Sequence, residues 1–392
     1  MSRMPPNRGS DWYGAWTGTK IFACLAVCTV LSIVTIASTD ATITPMAQQF
    51  ATDTPAPTPV IQGPLSTPNP TAAEPQDVFV PDRLMYVKGS TIYMLHDYDK
   101  PVPIAYGRQP GISPDGKTLA YIFFYKNYQN LMTVNIQSRK TNLLLDDNLT
   151  DPQDASTGRT AATPSWSDDG KTIYFAWSYP GSPFAPDSSV QWKTDLSITA
   201  CSASSPCNSG TARTLTKPYF ETGGDSEPAP RLADPNYMVY TQWQYQTARD
   251  GTSRSLASLQ AVNLNTNSQV TLTALLDNNS EPAWSPNGRY LAFVKTSDDL
   301  QSSSIWVMSF HPPGSNADYG KARLLVKGAP FAEHPVFSPD GKYLAYVAAT
   351  ADGRLHLFIA RVDLGPNAHA GAPQMVQRAG IVDGDNLVWT TA

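Results

Sequence analysis

One short arrangement of apolar and polar positions recurs along this chain. Two stretches rich in aromatic and β-branched residues flank a polar turn made of Ser, Pro, Asn or Asp, and Gly. The clearest copy covers 282–294, further copies cover 110–122, 164–176 and 335–347, and a degenerate copy begins at Pro228. Short apolar runs separated by turn residues are typical of strands, so each copy predicts a β-hairpin.

The turn at the centre of each copy has the residues that a type I turn prefers. Ser suits its first position, Pro the second and Asp or Asn the third, and Gly closes it in a left-handed conformation. We therefore predict a structural role for the residues of the four complete turns, which are Ser113, Asp115, Gly116, Ser167, Asp169, Gly170, Ser285, Asn287, Gly288, Ser338, Asp340 and Gly341.

The hairpins belong to a longer repeat. The leading prolines lie between about 50 and 65 residues apart, and the interval contains strand and turn patterns only. Each unit supplies four strands, a to d; Ile305–Met308 is an example of strand c and Arg323–Val326 of strand d. A four-stranded sheet that repeats around an axis is a propeller blade.

The two ends of the chain predict how the wheel closes. Residues 83–106 contain strands b, c and d without a preceding strand a, and Leu387–Thr390 forms one further strand pattern at the C-terminus. Combining them in one blade gives an all-β, six-bladed β-propeller, with seven blades as the alternative. Closure removes sheet edges that would otherwise aggregate. Both ends carry a b-like strand, so the sequence leaves open which strand each end donates.

The hairpin and its flanks resemble the WD40-like repeat of the TolB-type six-bladed β-propeller. The phrase Asn279–Ser285 (Asn-Ser-Glu-Pro-Ala-Trp-Ser) carries the resemblance most closely, and the likeness covers roughly residues 83–392. It implies a fold rather than an activity, because propellers host many unrelated functions. TolB also has an α/β domain ahead of its propeller, for which we expect no room here. The turns are similar to the Asp-box of sialidase propellers but lack the residue between Asp and Gly.

The N-terminal 39 residues have the pattern of a membrane anchor. Residues 1–20 are polar and contain basic residues, whereas Ile21–Thr39 carries no charge. As a helix, this span would be about 28 Å long, close to the hydrocarbon thickness of a bilayer. The positive-inside bias predicts a single-pass signal anchor with a cytoplasmic N-terminus and everything after residue 40 outside the cytoplasm. The alternative is a cleaved signal peptide, with Ala37 or Ala41 near the cut.

Residues 40–81 predict a linker. The segment is rich in Pro and Thr and contains no Lys or Arg. Such a composition favours an extended chain that reaches on the order of 100 Å. We expect it to hold the propeller, predicted for 82–392, away from the membrane.

The net charge and the cysteines limit the kinds of ligand that we expect this chain to bind. The net charge of −5 argues against nucleic acid, which normally requires a basic patch. Cys201 and Cys207 flank a Ser-rich stretch in the c–d connection of one unit, and an exported domain is in an oxidising environment. We therefore predict a disulfide between them and no metal site there.

The residue ahead of each leading proline is the candidate for ligand binding. In a propeller these positions meet beside the central channel, at the ends of the d–a loops. They are Gln109, Thr163, Glu227, Glu281 and His334. Acidic residues outnumber basic ones in the d–a loops, so we expect a negative channel mouth that binds a cationic peptide or a Ca²⁺ ion held by carboxylates. The alternative is that these are solvated loop charges without a ligand.

No sequence motif of an enzyme accompanies the propeller pattern. The chain has no Gly-x-Ser-x-Gly elbow, no His-Glu-x-x-His and no phosphate loop. We predict a non-catalytic, monomeric binding module for an envelope protein, a peptide or a cell-wall glycan. Insertions at 178–189 and 245–254 are expected to enlarge the binding face. The alternatives are a hydrolase or lyase that uses the mouth carboxylates, and an envelope sensor.

Overall fold

The computed structural model describes residues 77–391, apart from 126–127, 146–159, 179–195, 209, 217–223, 250, 312–320, 329 and 366. The predicted cytoplasmic segment, the predicted anchor at 21–39 and the linker up to residue 76 lie outside the described residues. Within the described part, no helix is long and apolar enough to cross a membrane. What the structure does describe is a wheel of six antiparallel sheets.

Five blades are built from consecutive strands, ordered a to d from the axis outward. Blade 2 contains β4 (Arg108–Ile112), β5 (Thr118–Tyr125), β6 (Tyr128–Asn135) and β7 (Thr141–Leu145). Blade 3 contains β8 (Thr160–Trp166), β9 (Thr172–Ser178), β10 (Ser197–Ser202) and β11 (Arg213–Thr214). Blade 4 contains β12 (Asp225–Pro230), β13 (Tyr237–Thr247), β14 (Ser253–Asn263) and β15 (Gln269–Thr271). Blade 5 contains β16 (Asn279–Trp284), β17 (Tyr290–Thr296), β18 (Ser303–Ser309) and β19 (Arg323–Val326). Blade 6 contains β20 (Ala332–Phe337), β21 (Tyr343–Ala349), β22 (Leu355–Asp363), β23 (His369–Ala370) and β24 (Gln374–Met375).

Blade 1 joins the two ends of the described chain. β1 (Val80–Lys88), β2 (Thr91–Asp97) and β3 (Val102–Tyr106) form its outer strands, and the C-terminal β25 (Val388–Thr390) is its innermost strand. β25 pairs antiparallel with β1, with Leu84 opposite Trp389. The C-terminus therefore donates strand a and the N-terminal region donates strands b to d, which settles the choice that the sequence left open. The six-bladed prediction is confirmed.

The core consists of apolar layers between neighbouring blades. Alternate residues of strands b and c face opposite neighbours, because side chains in a strand alternate between the two faces of the sheet. Between blades 1 and 2, for example, buried Met85 and Val87 pack with Leu119 and Tyr121. Each sheet is thus buried on both faces, which explains why the b strands read as continuous apolar runs such as Leu-Ala-Tyr-Ile.

The Ser-x-Asp-Gly turns between strands a and b share one hydrogen-bond pattern. In blade 2, the Ser113 hydroxyl donates to Oδ1 of Asp115 (2.7 Å), and the Gly116 N–H donates to the Ser113 carbonyl (2.8 Å). Gly116 has φ 67°, a left-handed conformation that glycine adopts without strain. Blades 3, 5 and 6 repeat these contacts with Ser167, Ser285 and Ser338 in the first position.

The described fold begins earlier than the sequence pattern indicated. β1 starts at Val80, and Asp77 accepts hydrogen bonds from the N–H groups of Gln377 and Arg378 at 3.0 and 2.8 Å. The Arg378 guanidinium pairs with Asp77 (3.1 Å) and also donates to the carbonyl of Val78. Residues 77–81, which the composition assigned to the linker, are therefore held against the C-terminal part of the chain.

The insertion at 245–254 is mostly regular structure. Strands β13 and β14 pair in register from Tyr237↔Asn263 to Thr247↔Ser253, so the extra residues lengthen a hairpin instead of forming an irregular loop. No strand signal marks this insertion in the sequence, because polar side chains on both faces hide the strand alternation. Most of the other insertion, 179–189, lies outside the described residues.

Cys201 and Cys207 form the predicted disulfide, with their Cα atoms 5.9 Å apart. Cys201 lies in β10, near its end, and Cys207 in the c–d loop that follows. The N–H of Cys207 donates to the carbonyl of Leu144 in blade 2 (2.6 Å), and both cysteines are buried in the cluster between blades 2 and 3. The disulfide loop thus contacts the neighbouring blade as well as closing on itself.

Candidate functional site

The five residues that precede the leading prolines converge at the axis of the wheel. The structure places them inside the innermost strands and not in the d–a loops, because the residues ahead of them already pair with strand b, as in Ser226↔Thr241. At each of these positions the a–b register shifts, which marks a β-bulge. All five residues have a left-handed backbone, with φ between 49° and 55°. Non-glycine residues rarely adopt this conformation, and it concentrates at functional sites.

A chain of hydrogen bonds links these positions from blade to blade. The N–H of Thr163 donates to Oε1 of Gln109 (2.9 Å), and the N–H of Glu227 donates to Oγ1 of Thr163 (3.0 Å). The N–H of Glu281 then donates to Oε2 of Glu227 (2.7 Å). The N–H of His334 donates to Oε2 of Glu281 (2.6 Å). Each side chain therefore accepts the bulged peptide N–H of the next blade.

Asp385 is the sixth member, and sequence reasoning missed it. Its Oδ1 accepts the N–H of Gln109 (3.1 Å), and its Oδ2 accepts Nε of Arg108 (2.8 Å). Asp385 lies just ahead of β25 and accepts the N–H of the next blade as the other side chains do, although the position equivalent to Glu281 in the strand register is Asn386. No proline follows it, and the signal that identified the other five is therefore missing. We call these residues the hub ring: Gln109, Thr163, Glu227, Glu281, His334 and Asp385.

The two glutamates of the hub ring differ in protonation. Burial and the neighbouring Glu281 carboxylate raise the pKa of Glu227 to about 7, against the opposing effect of the Thr241 hydroxyl that donates to it at 2.6 Å. Burial would also raise the pKa of Glu281, but the charge of His334 and the hydrogen bond from its backbone N–H outweigh burial and hold the pKa below its ordinary value. Near neutral pH, Glu281 is thus ionised while Glu227 is partly protonated.

His334 is the buried cation of the hub ring. Its Nδ1 lies 3.2 Å from Oε2 of Glu281, an ion pair without hydrogen-bond geometry. Burial is the largest single effect and lowers the pKa of His334, but the carboxylates of Glu281, Glu333 and Asp385 together outweigh it and raise the pKa to about 9. Beside it, burial and the charge of Glu281 raise the pKa of Glu333 to about 7. Burial likewise raises the pKa of Asp385, against the effect of Arg108.

A cavity of about 410 Å³ begins at the hub ring. Thr163, Glu227, Glu281 and His334 line one end, and the a–b turns with Pro114, Pro286 and Pro339 line the other. Between them the walls carry Ile112, Trp166, Trp284, Phe337, Val388 and Trp389. The described cavity therefore extends from the hub ring along the innermost strands towards the a–b turns, whereas the sequence predicted a binding mouth among the d–a loops.

The cavity can hold a ligand that combines polar and apolar groups. Gln109 is not among its described lining residues, so four of the five candidate positions face it. Its size is that of a small-molecule or peptide pocket, with apolar walls and a few polar groups at one end. Among the described residues, no group of three or more His, Cys, Asp or Glu side chains could hold a metal ion, which gives the Ca²⁺ expectation no structural support there. The acidic residues Asp146, Asp147, Asp151, Asp154 and Glu221 lie outside the described residues.

Six antiparallel sheets around an axial chain of hydrogen-bonded polar residues define the class: a six-bladed β-propeller. Its fold is TolB-like. TolB from Acinetobacter baumannii is similar at 16% identity and a TM-score of 0.56, over 79% of this chain and 67% of that one. A chain of the nidogen/laminin complex is similar at 12% identity and a TM-score of 0.51, over 80% of this chain and 100% of that one. A putative TolB from Agrobacterium tumefaciens matches at 15% identity and a TM-score of 0.47, over 77% of this chain and 90% of that one.

No family model and no curated protein matches the chain in sequence. At these levels of identity, the similar structures show the fold alone.

Proposed function

We propose that this protein is a non-catalytic binding module: an extracytoplasmic β-propeller, anchored by residues 21–39, that binds a segment of a protein or peptide in its central cavity. The observation that carries the proposal is the cavity itself, which ends at Glu227, Glu281 and His334 and is walled by aromatic and proline residues. Such walls favour burial of side chains, and the charged end gives the bound segment a fixed orientation.

Two further observations support a binding role. The hub carboxylates accept backbone N–H groups of neighbouring blades, so their positions are fixed before a ligand arrives. A site that is already ordered loses less entropy on binding. The likeness in fold to TolB and to a chain of the nidogen/laminin complex is compatible with a partner that is itself a protein.

The experiment compares the whole chain with a Glu227→Gln/Glu281→Gln double variant. Affinity capture from the cell envelope identifies a partner, and calorimetry with that purified partner then measures the affinity. Gln keeps an oxygen that accepts the neighbouring N–H, as Gln109 does in blade 2, but it removes the charge. Loss of a charge-assisted contact should weaken binding by about tenfold or more. A partner that binds both proteins equally would overturn the cavity as the binding site, and Asp340→Asn in an a–b turn is the control.

One observation favours an enzyme as the second candidate. A carboxyl whose pKa lies near neutrality is suited to general acid–base catalysis, and Glu227 has a pKa of about 7. A hydrolase or lyase would lose turnover in Glu227→Gln while retaining substrate affinity. A binding module would instead lose affinity and have no turnover in either form.

A further inference from the structure

The hub end of the cavity contains two side chains with unused hydrogen-bonding capacity. Oε2 of Glu281 accepts the N–H of His334 (2.6 Å), whereas its Oε1 has no hydrogen-bond partner among the described residues. The His334 side chain is only 8% exposed, and neither of its ring nitrogens forms a hydrogen bond within the described part of the chain. Both residues line the cavity. An acceptor and a donor are thus available next to each other at its inner end.

The walls of the cavity offer few hydrogen-bond donors. Nine of its described lining residues are prolines, which have no backbone N–H, and none of them is Lys or Arg. Trp166 and Trp284 already donate their indole N–H groups to carbonyls of the preceding blade (3.0 and 2.9 Å), and Trp389 donates to the carbonyl of Pro81. A complementary ligand must therefore bring donors of its own.

The described cavity ends at the hub ring and is open towards the a–b turns. Just ahead of the ring along the innermost strands, Asp225, Asn279 and Glu333 are buried and do not line the cavity. At the other end, Leu232 in the a–b turn of blade 4 lines the cavity and is 47% exposed. A ligand therefore enters from the side of the a–b turns and meets the hub ring last.

The dimensions of the cavity admit one chain. From Glu281 at the hub ring to Ser285, where the turn of blade 5 begins, the strand rises by about 13 Å at about 3.3 Å per residue. A volume of about 410 Å³ over that length leaves a mean cross-section of about 30 Å². One strand in stacked sheets occupies about 4.8 by 10 Å, so the cavity holds a single extended chain with small side chains and excludes the two chains of a loop.

We infer that the cavity binds the free N-terminus of a protein or peptide whose first residues have small side chains. The α-ammonium group brings a positive charge and three donors to Oε1 of Glu281, and the first peptide carbonyl accepts a hydrogen bond from His334. The following residues extend along the proline and tryptophan walls towards the a–b turns. A C-terminal carboxylate would instead bring a negative charge and only acceptors to this end.

This inference rests on the proposed function, in which the cavity binds a peptide segment, and it adds which part of the segment enters. The test is a titration of the full chain with three short peptides, followed by ligand-observed NMR. The peptides are tetraalanine amide with a free N-terminus, its N-acetylated form, and acetyl-lysyl-trialanine amide, which carries its ammonium group on a side chain.

The free N-terminus should bind most tightly. Acetylation removes the charge and all but one of the donors at that end, so we expect Kd to rise by about tenfold or more. The lysine peptide should bind as weakly as the acetylated one, because its ammonium group does not adjoin a peptide carbonyl. A smaller effect of acetylation, a lysine peptide that binds as tightly as the free N-terminus, or no binding of any peptide would each overturn the inference.

A variant adds a second readout to the peptide comparison, which itself requires no substitution. Glu281→Gln keeps an acceptor for the N–H of His334 but removes the charge, so the preference for the free N-terminus should be lost. Asp340→Asn, in an a–b turn, is the control and should retain the preference. An envelope partner that depends on Glu227 and Glu281 but binds equally well with a blocked N-terminus would overturn this inference and leave the proposed function in place.

Discussion

The carboxylate of Glu281 in blade 5 accepts the peptide N–H of His334 in blade 6 at 2.6 Å and forms an ion pair with the imidazole of the same residue. One side chain thus fixes both the backbone and the charge of its neighbour. The same backbone contact recurs at Gln109, Thr163 and Glu227, and it accounts for a polar side chain at each of these positions.

Removing the acceptor oxygen of Glu281 should lower the free energy of unfolding more than removing the charge of Glu281. Glu281→Leu leaves the buried N–H of His334 without a partner, and we expect a loss of about 1–3 kcal/mol in the free energy of unfolding. Glu281→Gln retains an acceptor oxygen and should lose less. Urea unfolding of the two variants and the wild type makes the comparison. Equal losses in both variants would show that charge, and not the backbone contact, matters at this position.

The pKa of His334 predicts instability at high pH. Its folded pKa of about 9 lies above the ordinary value of 6.5, so its contribution is fully present below pH 6.5 and is lost as pH rises through 9. Glu227 and Glu333, whose pKa values are raised to about 7, act in the same direction: stability falls as pH rises from about 4.5 through 7. Tm measured from pH 5 to 10 should therefore decline towards the alkaline end.

The control for this pH dependence is Glu281→Gln, which removes the carboxylate that acts most strongly to raise the pKa of His334. The decline between pH 7 and 9 should become shallower in this variant. A profile that keeps the wild-type slope would assign the alkaline loss to other groups.

The disulfide should stabilise the contact between blades 2 and 3. In Cys201→Ser/Cys207→Ser, the free energy of unfolding should fall by about 2 kcal/mol, and less if the loop stays packed. Hydrogen exchange should accelerate at the amide of residue 207, which donates to the carbonyl of Leu144. The reduced wild-type protein should behave in the same way. Unchanged exchange at this amide would show that the loop holds its position without the bond.

Closure of blade 1 should depend on the last strand. Truncation after Asn386 removes β25 and with it buried Trp389, whose indole N–H donates to the carbonyl of Pro81 (2.6 Å). The inner edge of β1 is then uncovered, and exposed edges template association. Size-exclusion chromatography should show aggregates or loss of soluble protein. Trp389→Ala is the control, because it removes the packed side chain and keeps the strand. It should lower the free energy of unfolding by about 3–5 kcal/mol without causing aggregation, which distinguishes loss of packing from exposure of the sheet edge.

The fold could be predicted from the sequence because its local signals agree. Turn residues such as Ser285, Asn287 and Gly288 recur in register with apolar strands, and a repeated local signal determines the repeated unit. The number of blades followed from the incomplete unit at the N-terminus. The donor of the closing strand could not be read, because Leu387–Thr390 resembles strand b as much as strand a.

The site was harder to predict because its geometry depends on contacts between blades. Proline marked five hub positions, but Asp385 lacks this mark and was found only through its hydrogen bond to Gln109. The sequence placed those residues in loops, whereas the structure places them inside strands, next to bulges. The strand pairing ahead of each bulge could not be predicted, because it produces no apolar pattern in the sequence. The direction in which the cavity extends could not be predicted either. It depends on the lengths of six strands around the axis and on side chains contributed by several repeat units.

The place of β25 also has a consequence for biosynthesis. The strand that completes blade 1 is translated last, although the rest of that blade is translated first among the described strands. Throughout elongation, the N-terminal sheet presents an unoccupied hydrogen-bonding edge along Arg83 to Met85, where β25 later pairs. A wheel without β25 is therefore most vulnerable to intermolecular pairing at its first-made sheet, and the pairing of β25 with β1 ends this exposure.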